Sequence, residues 1–503
     1  MTSVGVDCSK INVASLMTQD NMRAGRILLE CGIIQGGQRS AGGVDHTPKA
    51  PPNVRVSNGS DCNASTDVCG SESMVAASTA DKGQTIVVNF NAEYGTGANY
   101  SGTSYSTNGG ASFTEIQPAP FSSGHDTNFG DPLVVFNSKS GMFFAGDLVT
   151  GCGGQGIGLW TSTDGKTWTT AACAHNGGAD DRPSMWSDNE PTSGTYGRMY
   201  ISYNDYDTDC DGSGCLFVTY SDDGTTWSTP FQLNTTTFYR NVQITGSPRG
   251  AQINSGDATV FIASMDEGGG GTATRQNLMY YSTDGGTSWT QVLIGSRFNP
   301  PGNVNCGYFE AVAPIWRHMG WGEPAVGPDG VVHYDYAGAG TNGDLGDIFY
   351  VRSTDNGTTW SKPIKLNTDS DNQFRTQWMP SLSATSDGNV TASWYDRRKA
   401  TSTCTSAGDP GCNYERVGRQ SKTNGASWAT SEITISTKVI AQPLQNDGFV
   451  QPCYAGDYDY DTALNTADVG NKHGAAYISW TDGRASIGGV HVESEDFAKV
   501  PEP

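Results

Sequence analysis

The stretch "YYSTDGGTSWT", Tyr280–Thr290, holds an aspartate, several turn-forming residues and a tryptophan in a pattern that the chain repeats. We call Ser282–Trp289 and its copies the boxes; the other copies are Ser106–Phe113, Ser162–Trp168, Ser221–Trp227, Ser353–Trp360 and Ser421–Trp428. The boxes recur at intervals of roughly 55–70 residues, which is typical of an array of similar structural units. One catalytic acid does not need six scattered copies, so the boxes predict a fold rather than an active site.

The chemistry of a box suits a tight turn. An aspartate side chain accepts backbone N–H groups across such a turn, and glycine adopts the positive φ angles that other residues resist. A following Thr or Ser hydroxyl bonds the aspartate, and the tryptophan fills space between layers of the structure. We therefore predict that the boxes stabilise the fold.

The phrase Ser-x-Asp-x-Gly-x-Thr/Ser-Trp resembles the Asp-box, or BNR repeat, of the sialidase superfamily and related propellers. The sialidase pattern also includes an Arg-Ile-Pro signature, three arginines, an acid/base aspartate and a Tyr–Glu pair. This chain has no Arg-Ile-Pro sequence, and sialidase catalytic domains have six blades. Seven-bladed relatives with Asp-boxes include polysaccharide lyases and xyloglucan hydrolases.

Four strands fit within each repeat. The first opens on a charged residue and proline, as in "GDPLVVF" from Gly130, and the second is apolar and ends near an acid, as in "MYISYNDY" from Met199. The third strand leads into the box, and the fourth begins at the box tryptophan. The second-strand pattern recurs after the last box in "AAYISWTDGR", Ala475–Arg484, which indicates a seventh unit without an outer strand.

The segment Pro52–Ser57 can supply that missing strand, and closing the ring in this way removes exposed sheet edges. The sequence therefore predicts an all-β chain with a seven-bladed β-propeller over residues 52–503, closed by a strand near 52–57. A six-bladed propeller is the alternative.

Residues 1–51 are expected to form an N-terminal helical extension and a linker. The apolar spacing within residues 8–35 predicts a short helix on the outside of the propeller, tied by a Cys8–Cys31 disulfide. Residues 36–51 are rich in Gly, Ser and Pro and are typical of a linker. The long insertion at 291–322 is rich in aromatic residues and is expected to form an ordered cap.

The chain has 503 residues and a formal net charge of −22, from 30 Lys and Arg against 52 Asp and Glu. Nucleic-acid binding is disfavoured, because a phosphate backbone requires a basic surface. The even count of 12 cysteines predicts disulfides and a secreted or extracellular protein, with the periplasm or the cell surface as alternatives. The expected pairs are Cys8–Cys31, Cys62–Cys69, Cys152–Cys173, Cys210–Cys215, Cys306–Cys453 and Cys404–Cys412. We expect a monomer without a membrane span.

The candidate functional residues lie on the face opposite the boxes, where first strands open and second strands end. Carboxylates there permit glycoside hydrolysis, and a tyrosine beside an acid can act as nucleophile. The catalytic candidates are Asp131, Asp181, Glu323, Asp457 and Tyr458. Substrate contacts are expected from Arg182, Arg249, Arg375 and Arg397, which can clamp a carboxylate, and from Trp316 and His318 in the insertion.

A calcium site is a further possibility. Asp207, Asp209 and Asp211 followed by Gly212 match the front half of an EF-hand-like loop. The glutamate expected at the twelfth position is replaced by Val218. The alternative is a solvated turn closed by a disulfide. We expect the protein to require no cofactor.

Three functions remain open. The first is a secreted, sialidase-like glycoside hydrolase acting on a glycan at the mouth of the propeller channel. The second is a polysaccharide lyase in which His125, His318 or a tyrosine abstracts a proton beside an arginine-neutralised uronate. The third is a non-catalytic glycan-binding, adhesion or scaffold propeller. The hydrolase is favoured, because acids outnumber histidines at the inferred mouth.

Overall fold

The computed structural model describes residues 6–19, 21–33, 52–57, 70–92, 99–116, 120–249, 256–302, 304–306, 308–311, 316–370, 375–401, 411–441, 453–470, 473–487 and 490–503. Within these ranges the chain forms seven sheets arranged as blades, a separate two-stranded hairpin and two short helices. The all-β, seven-bladed propeller is confirmed, and the six-bladed alternative is wrong.

The strands of each blade follow one another from the axis to the rim. The first three blades contain β2–β5 (Ser71–Ala77, Ile86–Asn91, Ser101–Ser106, Thr114–Glu115), β6–β9 (Leu133–Asn137, Met142–Val149, Gly156–Ser162, Thr169–His175) and β10–β13 (Asp180–Ser187, Met199–Cys210, Ser213–Ser221, Phe231–Gln232). Inner strands such as Leu133–Asn137 are buried along their whole length. The apolar run Leu133–Phe136 does not alternate with polar residues, because the chain packs against both faces of this strand.

The remaining blades continue this plan. Blades 4 to 6 contain β14–β18 (Tyr239–Arg240, Ile244–Gly246, Val260–Asp266, Arg275–Ser282, Thr290–Phe298), β21–β24 (Pro324–Val326, Val332–Gly338, Asp347–Ser353, Ile364–Lys365) and β25–β28 (Gln377–Ala384, Val390–Asp396, Glu415–Ser421, Ile433–Thr434). The separate hairpin is β19–β20 (Val304–Cys306, Phe309–Ala311), within the long insertion.

The seventh blade joins the two ends of the propeller. Its own strands are β30–β32 (Thr462–Leu464, Ala475–Ile487, Val490–Pro501), which follow the short strand β29 (Asp459–Tyr460) in the chain. Its outer strand is β1 (Val54–Arg55), which pairs with Phe497 and Asp496 in antiparallel register. On the axial side, β29 pairs in parallel with β2 of the first blade. The strand from the segment 52–57 therefore closes the ring.

Each box joins the third and fourth strands of its blade and is bonded within its own turn. In the fourth blade, Ser282 Oγ donates to Asp284 Oδ1 (2.8 Å), and the backbone N–H of Ser288 donates to the same oxygen (2.9 Å). The box aromatics pack against the clusters between the blades; these are Phe113, Trp168, Trp227, Trp289, Trp360 and Trp428. The boxes are structural, as their chemistry predicted.

We expect Asp284→Ala to lower the free energy of unfolding by about 1–3 kcal/mol, because several N–H and O–H donors of the turn lose their acceptor. Thr283→Ala is the matched control, since Thr283 is the exposed neighbour in the same box, and its effect should stay within about 0.5 kcal/mol. Urea denaturation followed by tryptophan fluorescence measures both. Equal effects would show that the aspartate does not stabilise the turn.

The N-terminal extension contains two short helices, α1 (Val13–Thr18) and α2 (Met22–Glu30), where the sequence predicted one. The expected disulfides Cys8–Cys31, Cys152–Cys173, Cys210–Cys215 and Cys306–Cys453 are confirmed. The pairs Cys62–Cys69 and Cys404–Cys412 involve residues outside the described part of the chain. No helix in that part is long and apolar enough to cross a membrane.

Candidate functional site

Five buried residues, four of them polar, lie around the propeller axis at the openings of the inner strands. We call Glu72, Asp131, Arg182, Asn241 and Met379 the entry ring. Each occupies the left-handed region of backbone conformation, with φ angles of 45°, 61°, 49°, 61° and 45°. Their exposed fractions do not exceed 4%. Non-glycine residues rarely adopt these angles, and such strain is concentrated at functional sites.

The strain arises because the inner strands bulge where they open. The pairing register shifts between Ser71 and Ser73, between Asp181 and Ser184, and between Trp378 and Ser381. A bulge inserts one extra residue and redirects the neighbouring side chains. In three blades, a bulge at the same level of the inner strand therefore removes one entry-ring residue from the regular pairing of the sheet.

Hydrogen bonds join the entry ring from blade to blade. The backbone N–H of Arg182 donates to Asp131 Oδ2 (2.8 Å), and Arg182 Nη1 donates to Asn241 Oδ1 (3.0 Å). Across the closure of the ring, the N–H of Asp457 donates to Glu72 Oε1 (2.8 Å). Asn91 Nδ2 donates to the other oxygen of Glu72 (2.7 Å). Both oxygens of the Glu72 side chain therefore accept a hydrogen bond.

Three arginines converge beside the entry ring. Arg240 pairs with Asp181 (3.1 Å), and Arg317 donates to both carboxylate oxygens of Asp457 at 2.6 and 3.1 Å. The guanidinium of Arg182 lies 3.9 Å from the ring centroid of Trp321. The same indole is 5.0 Å from the guanidinium of Arg240, and Phe309 contacts both Arg240 and Arg317. Two aromatic side chains thus hold three cations together.

Tyr458 lies next to these groups and is almost fully buried. Burial raises the pKa of its phenol well above the usual range, and Glu72 and Asp131 raise it further when they are ionised. The guanidinium of Arg182 lies 5.0 Å from the tyrosine ring. Among the described residues, the Tyr458 hydroxyl has no hydrogen-bond partner. A carboxylate near a tyrosine can exchange a proton with its phenol once the two groups come within hydrogen-bond distance.

Two parts of the chain cover this site. The hairpin β19–β20 brings Phe309 over the arginines and is tied to the seventh blade by the Cys306–Cys453 disulfide. The helices α1 and α2 contribute Asn21, whose Nδ2 donates to Asp181 Oδ1 (2.5 Å). The expected ordered cap is present in the hairpin, but the insertion is shorter than predicted, because Thr290–Phe298 forms the outer strand of the fourth blade. The expectation that the N-terminal helix packs on the outside of the propeller is wrong, because Asn21 at the start of α2 contacts Asp181 beside the entry ring.

The structure brings together five of the residues proposed from the sequence: Asp131, Asp181, Arg182, Asp457 and Tyr458. It adds Glu72, Arg240, Asn241 and Arg317, which sequence reasoning missed. Glu72 and Asn241 open the inner strands of the first and fourth blades. Glu72 and Asn241 occupy the same strand position as Asp131 and Arg182, and this correspondence could have identified them. The inner strands of the first and fourth blades, however, lack the charged residue and proline that marked the inner strands of other blades.

Other proposed residues lie away from the entry ring. Arg249 is ion-paired with Asp468, and both line the axial channel on the box side, so its expected place at the opposite mouth is wrong. Arg375 is half-exposed and donates to Ser370 Oγ (3.2 Å). Arg397 is buried against the ring of Trp378 (4.7 Å).

The proposed residues of the insertion are bonded within the core. Trp316 is fully buried, and its Nε1 donates to the backbone oxygen of Gly456 (2.9 Å). Both ring nitrogens of His318 face backbone N–H groups, from Gly320 (3.1 Å) and Met379 (2.9 Å). Burial lowers the pKa of His318 to about 3, which keeps it neutral. His125 lies 3.1 Å from the backbone oxygen of Leu159. His318 therefore touches the entry ring only through the backbone N–H of Met379, and the contact of His125 is with the second blade.

The axial channel below the entry ring has a volume of about 200 Å³ and is lined by the inner strands of all seven blades. Glu323 and Asp461 line it and share a partner, since Ser381 Oγ donates to Glu323 and accepts the N–H of Asp461. Burial raises the pKa of Glu323 well above the usual range, and nearby Asp461 raises it further. Burial likewise raises the pKa of Asp461 to about 6, against the opposing effect of Arg416.

These channel acids predict a pH-dependent stability. Asp461 ionises near pH 3.8 when unfolded but near pH 6 when folded, so the folded protein holds the extra proton between these values. The stability from this group is present below pH 3.8 and is lost as the pH rises to 6. This loss amounts to about 3 kcal/mol in the free energy of unfolding. We expect it to be absent from Asp461→Asn, because the amide does not ionise.

Thermal unfolding between pH 4 and pH 8 measures this effect, and the exposed Asp387→Asn is the control. A flatter pH profile in Asp461→Asn alone is the expected result. An unchanged profile would show that Asp461 titrates normally in the folded protein.

The three aspartates proposed for calcium lie on the hairpin between β11 and β12. Asp207 Oδ2 accepts the N–H of Gly178 (2.8 Å), and Asp209 Oδ1 accepts the N–H of Gly212 (2.7 Å). In the described ranges, one group of three potential metal ligands lies within 4.8 Å of one another, namely His125 with Cys152 and Cys173. Those cysteines form a disulfide and have no thiolate to offer. The calcium site stays a prediction, because Asp207, Asp209 and Asp211 do not form a group of converging ligands in the described structure.

No family model matches the chain, and no curated protein matches it. The α-L-arabinofuranosidase Arb93A of Fusarium graminearum shows 12% identity over 90% of this chain and 98% of that chain, with a TM-score of 0.39. The NanB sialidase of Streptococcus pneumoniae shows 11% identity over 93% and 99% of the two chains, with a TM-score of 0.41. The Penicillium chrysogenum α-L-arabinanase shows 13% identity over 90% and 99%, with a TM-score of 0.38. Likeness of this degree carries no argument about activity.

Proposed function

We propose that the protein is a glycoside hydrolase whose reaction takes place at the entry ring. The observation that carries the proposal is the position of Tyr458. Its chain neighbour Asp457 is bonded to Glu72, and its ring faces Arg182, which is bonded to Asp131. Glu72 and Asp131 occupy strained positions of neighbouring blades. Paired carboxyl groups around a reacting centre are the usual machinery for cleaving a glycosidic bond. The disulfides further suit a secreted enzyme acting on an extracellular glycan.

Each group has a distinct role in this proposal. Asp131 donates its proton to the glycosidic oxygen as the bond to the anomeric carbon breaks. The Tyr458 oxygen forms the new bond to that carbon, while its proton passes to Glu72. Water then attacks the same carbon, gives its proton to Asp131 and releases Tyr458, which takes its proton back from Glu72. Both carboxyl groups end in their starting states.

Asp181 and Asp457 have a different part in this scheme. Each is bonded to an arginine, so we assign them to the positioning of Arg240 and Arg317 rather than to catalysis. Their charges also decide between substrate classes. A lyase or a sialidase requires arginines whose positive charge is available for a substrate carboxylate. Because Arg240 and Arg317 already face carboxylates and the side chain of Arg182 bonds Asn241, we propose a neutral glycan as the substrate.

A substrate screen tests the proposal. It compares neutral β-glucans and arabinans with sialosides and uronate polysaccharides, and it follows both new reducing ends and the absorbance of unsaturated uronates. A Met22→Asp variant is included, because residues 12–30 cover the entry ring. We expect reducing ends from a neutral glycan without unsaturated products. Unsaturated uronate would establish a lyase instead, and inactivity of both proteins on every glycan would favour a binding module.

A further inference from the structure

The two covers of the entry ring are attached in different ways. The hairpin β19–β20 is cross-linked to the seventh blade through Cys306–Cys453, so it cannot leave the site without reduction of a disulfide. The helices α1 and α2 have the disulfide Cys8–Cys31, which lies entirely within the N-terminal extension. In the described part of the chain, no disulfide joins them to a blade. One cover is fixed, and the other is held by non-covalent contacts.

Asn21 makes the central contact of the helical cover. Its Oδ1 accepts the N–H of Ala24 (2.9 Å), which caps the start of α2, and its Nδ2 donates to Asp181 Oδ1 (2.5 Å). The same Asp181 carboxylate pairs with Arg240 through its other oxygen. The side chain of Asn21 is 1% exposed, so this amide fills the space beside the entry ring. Docking of α2 and contact with the site therefore depend on one side chain.

The remaining contacts of the cover are modest and lie around its edge. Met22 is buried in a small cluster with Tyr100 and Tyr454. Arg23 Nη1 donates to Gln155 Oε1 (2.7 Å). Tyr206 donates its hydroxyl hydrogen to the backbone oxygen of Thr18 (2.9 Å), and α1 has no buried residue. Ala24 and Leu28 of α2 are also fully buried, so the buried apolar side chains of the cover are three residues of one helix. A segment held by so small an apolar surface opens more readily than the blades.

The order of the chain allows this cover to leave without opening the propeller. The closing strand Val54–Arg55 follows the helices in sequence and pairs with Asp496 and Phe497 independently of them. Displacement of residues 12–30 therefore exposes the entry ring and leaves all seven blades intact. Displacement of the closing strand would instead open the ring.

We propose that residues 12–30 form an autoinhibitory cap, in which Asn21 occupies the position beside Asp181 that substrate takes when the cap is displaced. This inference rests on the proposed function and names the regulation of the same site. The folded enzyme is held closed, and its activity is set by the population with the cap displaced. Any event that detaches α2, such as cleavage after the cap or a partner that binds the helices, activates the enzyme.

Two variants and one control test the cap in the full-length protein. Asn21→Ala removes the amide that bonds Asp181, and Met22→Asp places a charge in the cluster with Tyr100 and Tyr454. Ala14→Glu is the control, because Ala14 is exposed on α1. Loss of a hydrogen bond to a charged group changes such an equilibrium by roughly tenfold or more, so we expect at least that increase in hydrolysis rate for the two variants. The control should match the wild type.

Hydrogen exchange measured by mass spectrometry provides a readout that does not need a substrate. We expect faster exchange in peptides covering Met22–Leu28 and in those covering Arg182, whose N–H bonds Asp131. Faster exchange together with faster hydrolysis supports the cap. Faster exchange with an unchanged hydrolysis rate overturns the cap and leaves the proposed function standing. Faster exchange in a protein that hydrolyses no glycan overturns the proposed function, and the cap's role in regulation with it.

Discussion

Asp131→Asn lowers kcat for glycan hydrolysis by about 10²–10⁴-fold, which is the usual contribution of a positioned general acid. The substitution is chosen because it removes the proton and keeps the structure. Asn tolerates a left-handed backbone conformation as readily as Asp, and the φ of Asp131 is 61°. Its side-chain oxygen still accepts the N–H of Arg182. The variant should therefore unfold at nearly the same temperature as the wild type.

Asp147→Asn is the control for this prediction. Asp147 lies in the same blade, is also fully buried, and bonds Asn89 outside the entry ring. Asp147→Asn makes the same Asp-to-Asn change at an equally buried position. If the loss of activity in Asp131→Asn depends on its place in the entry ring, kcat of Asp147→Asn should stay within a factor of about two of the wild type. Steady-state kinetics on the glycan found by the screen measures both variants. Similar losses in both would place the catalytic acid elsewhere.

Asp457→Ala lowers the free energy of unfolding by about 3–5 kcal/mol, the largest stability effect we expect in this chain. Asp457 and Arg317 are each 1% exposed and joined by two hydrogen bonds. Removing the carboxylate leaves the guanidinium of Arg317 buried between Phe309 and Tyr454, where water cannot solvate it. An uncompensated buried charge is far more costly than the absence of the whole pair.

The double variant Asp457→Ala with Arg317→Met separates these two effects. It removes both charges and keeps an apolar side chain of similar length between the aromatic rings, so it should regain most of the lost stability. Urea denaturation of the two single variants and the double variant completes the cycle. If the double variant is as unstable as the sum of the singles, the two residues do not form an energetic pair.

The buried ion pairs also hold the arginine side chains of the site in one arrangement. A pair of opposite charges in a low-dielectric interior is stable only in one geometry, because each charge needs its partner and its hydrogen bonds. Asp181 with Arg240 and Asp457 with Arg317 therefore fix the positions of two guanidiniums. The contacts of Arg182 with Trp321 and Tyr458 then fix the third cation relative to the tyrosine.

The fold was accessible from the sequence because its signals are local. Ser282 and Asp284 are two residues apart and bond each other, so the box can be recognised without knowledge of the rest of the chain. The recurrence of the second-strand pattern at Ala475–Arg484 led to the seventh blade and to the closing strand near 52–57. The disulfides with short spacings, such as Cys210–Cys215, followed for the same reason.

The site was accessible only in part. Asp131, Arg182 and Tyr458 open strands whose pattern was visible, and the structure brings them together. Arg249 lies in a similar "SPRG" phrase but belongs to the other end of the channel, since it follows the end of its inner strand at Gly246. The sequence could not show which end of a short strand a residue occupies when the strand itself is only three residues long.

The sequence by itself determined the repeat, the closed ring and the face on which polar side chains gather. Only the tertiary structure decided which of those side chains meet, and that the N-terminal helices cover them. The bond between the N–H of Asp457 and Glu72 joins residues 385 positions apart, and that between Asn21 and Asp181 joins residues 160 apart. Such contacts depend on the closure of all seven blades, whereas a box turn needs only its own few residues.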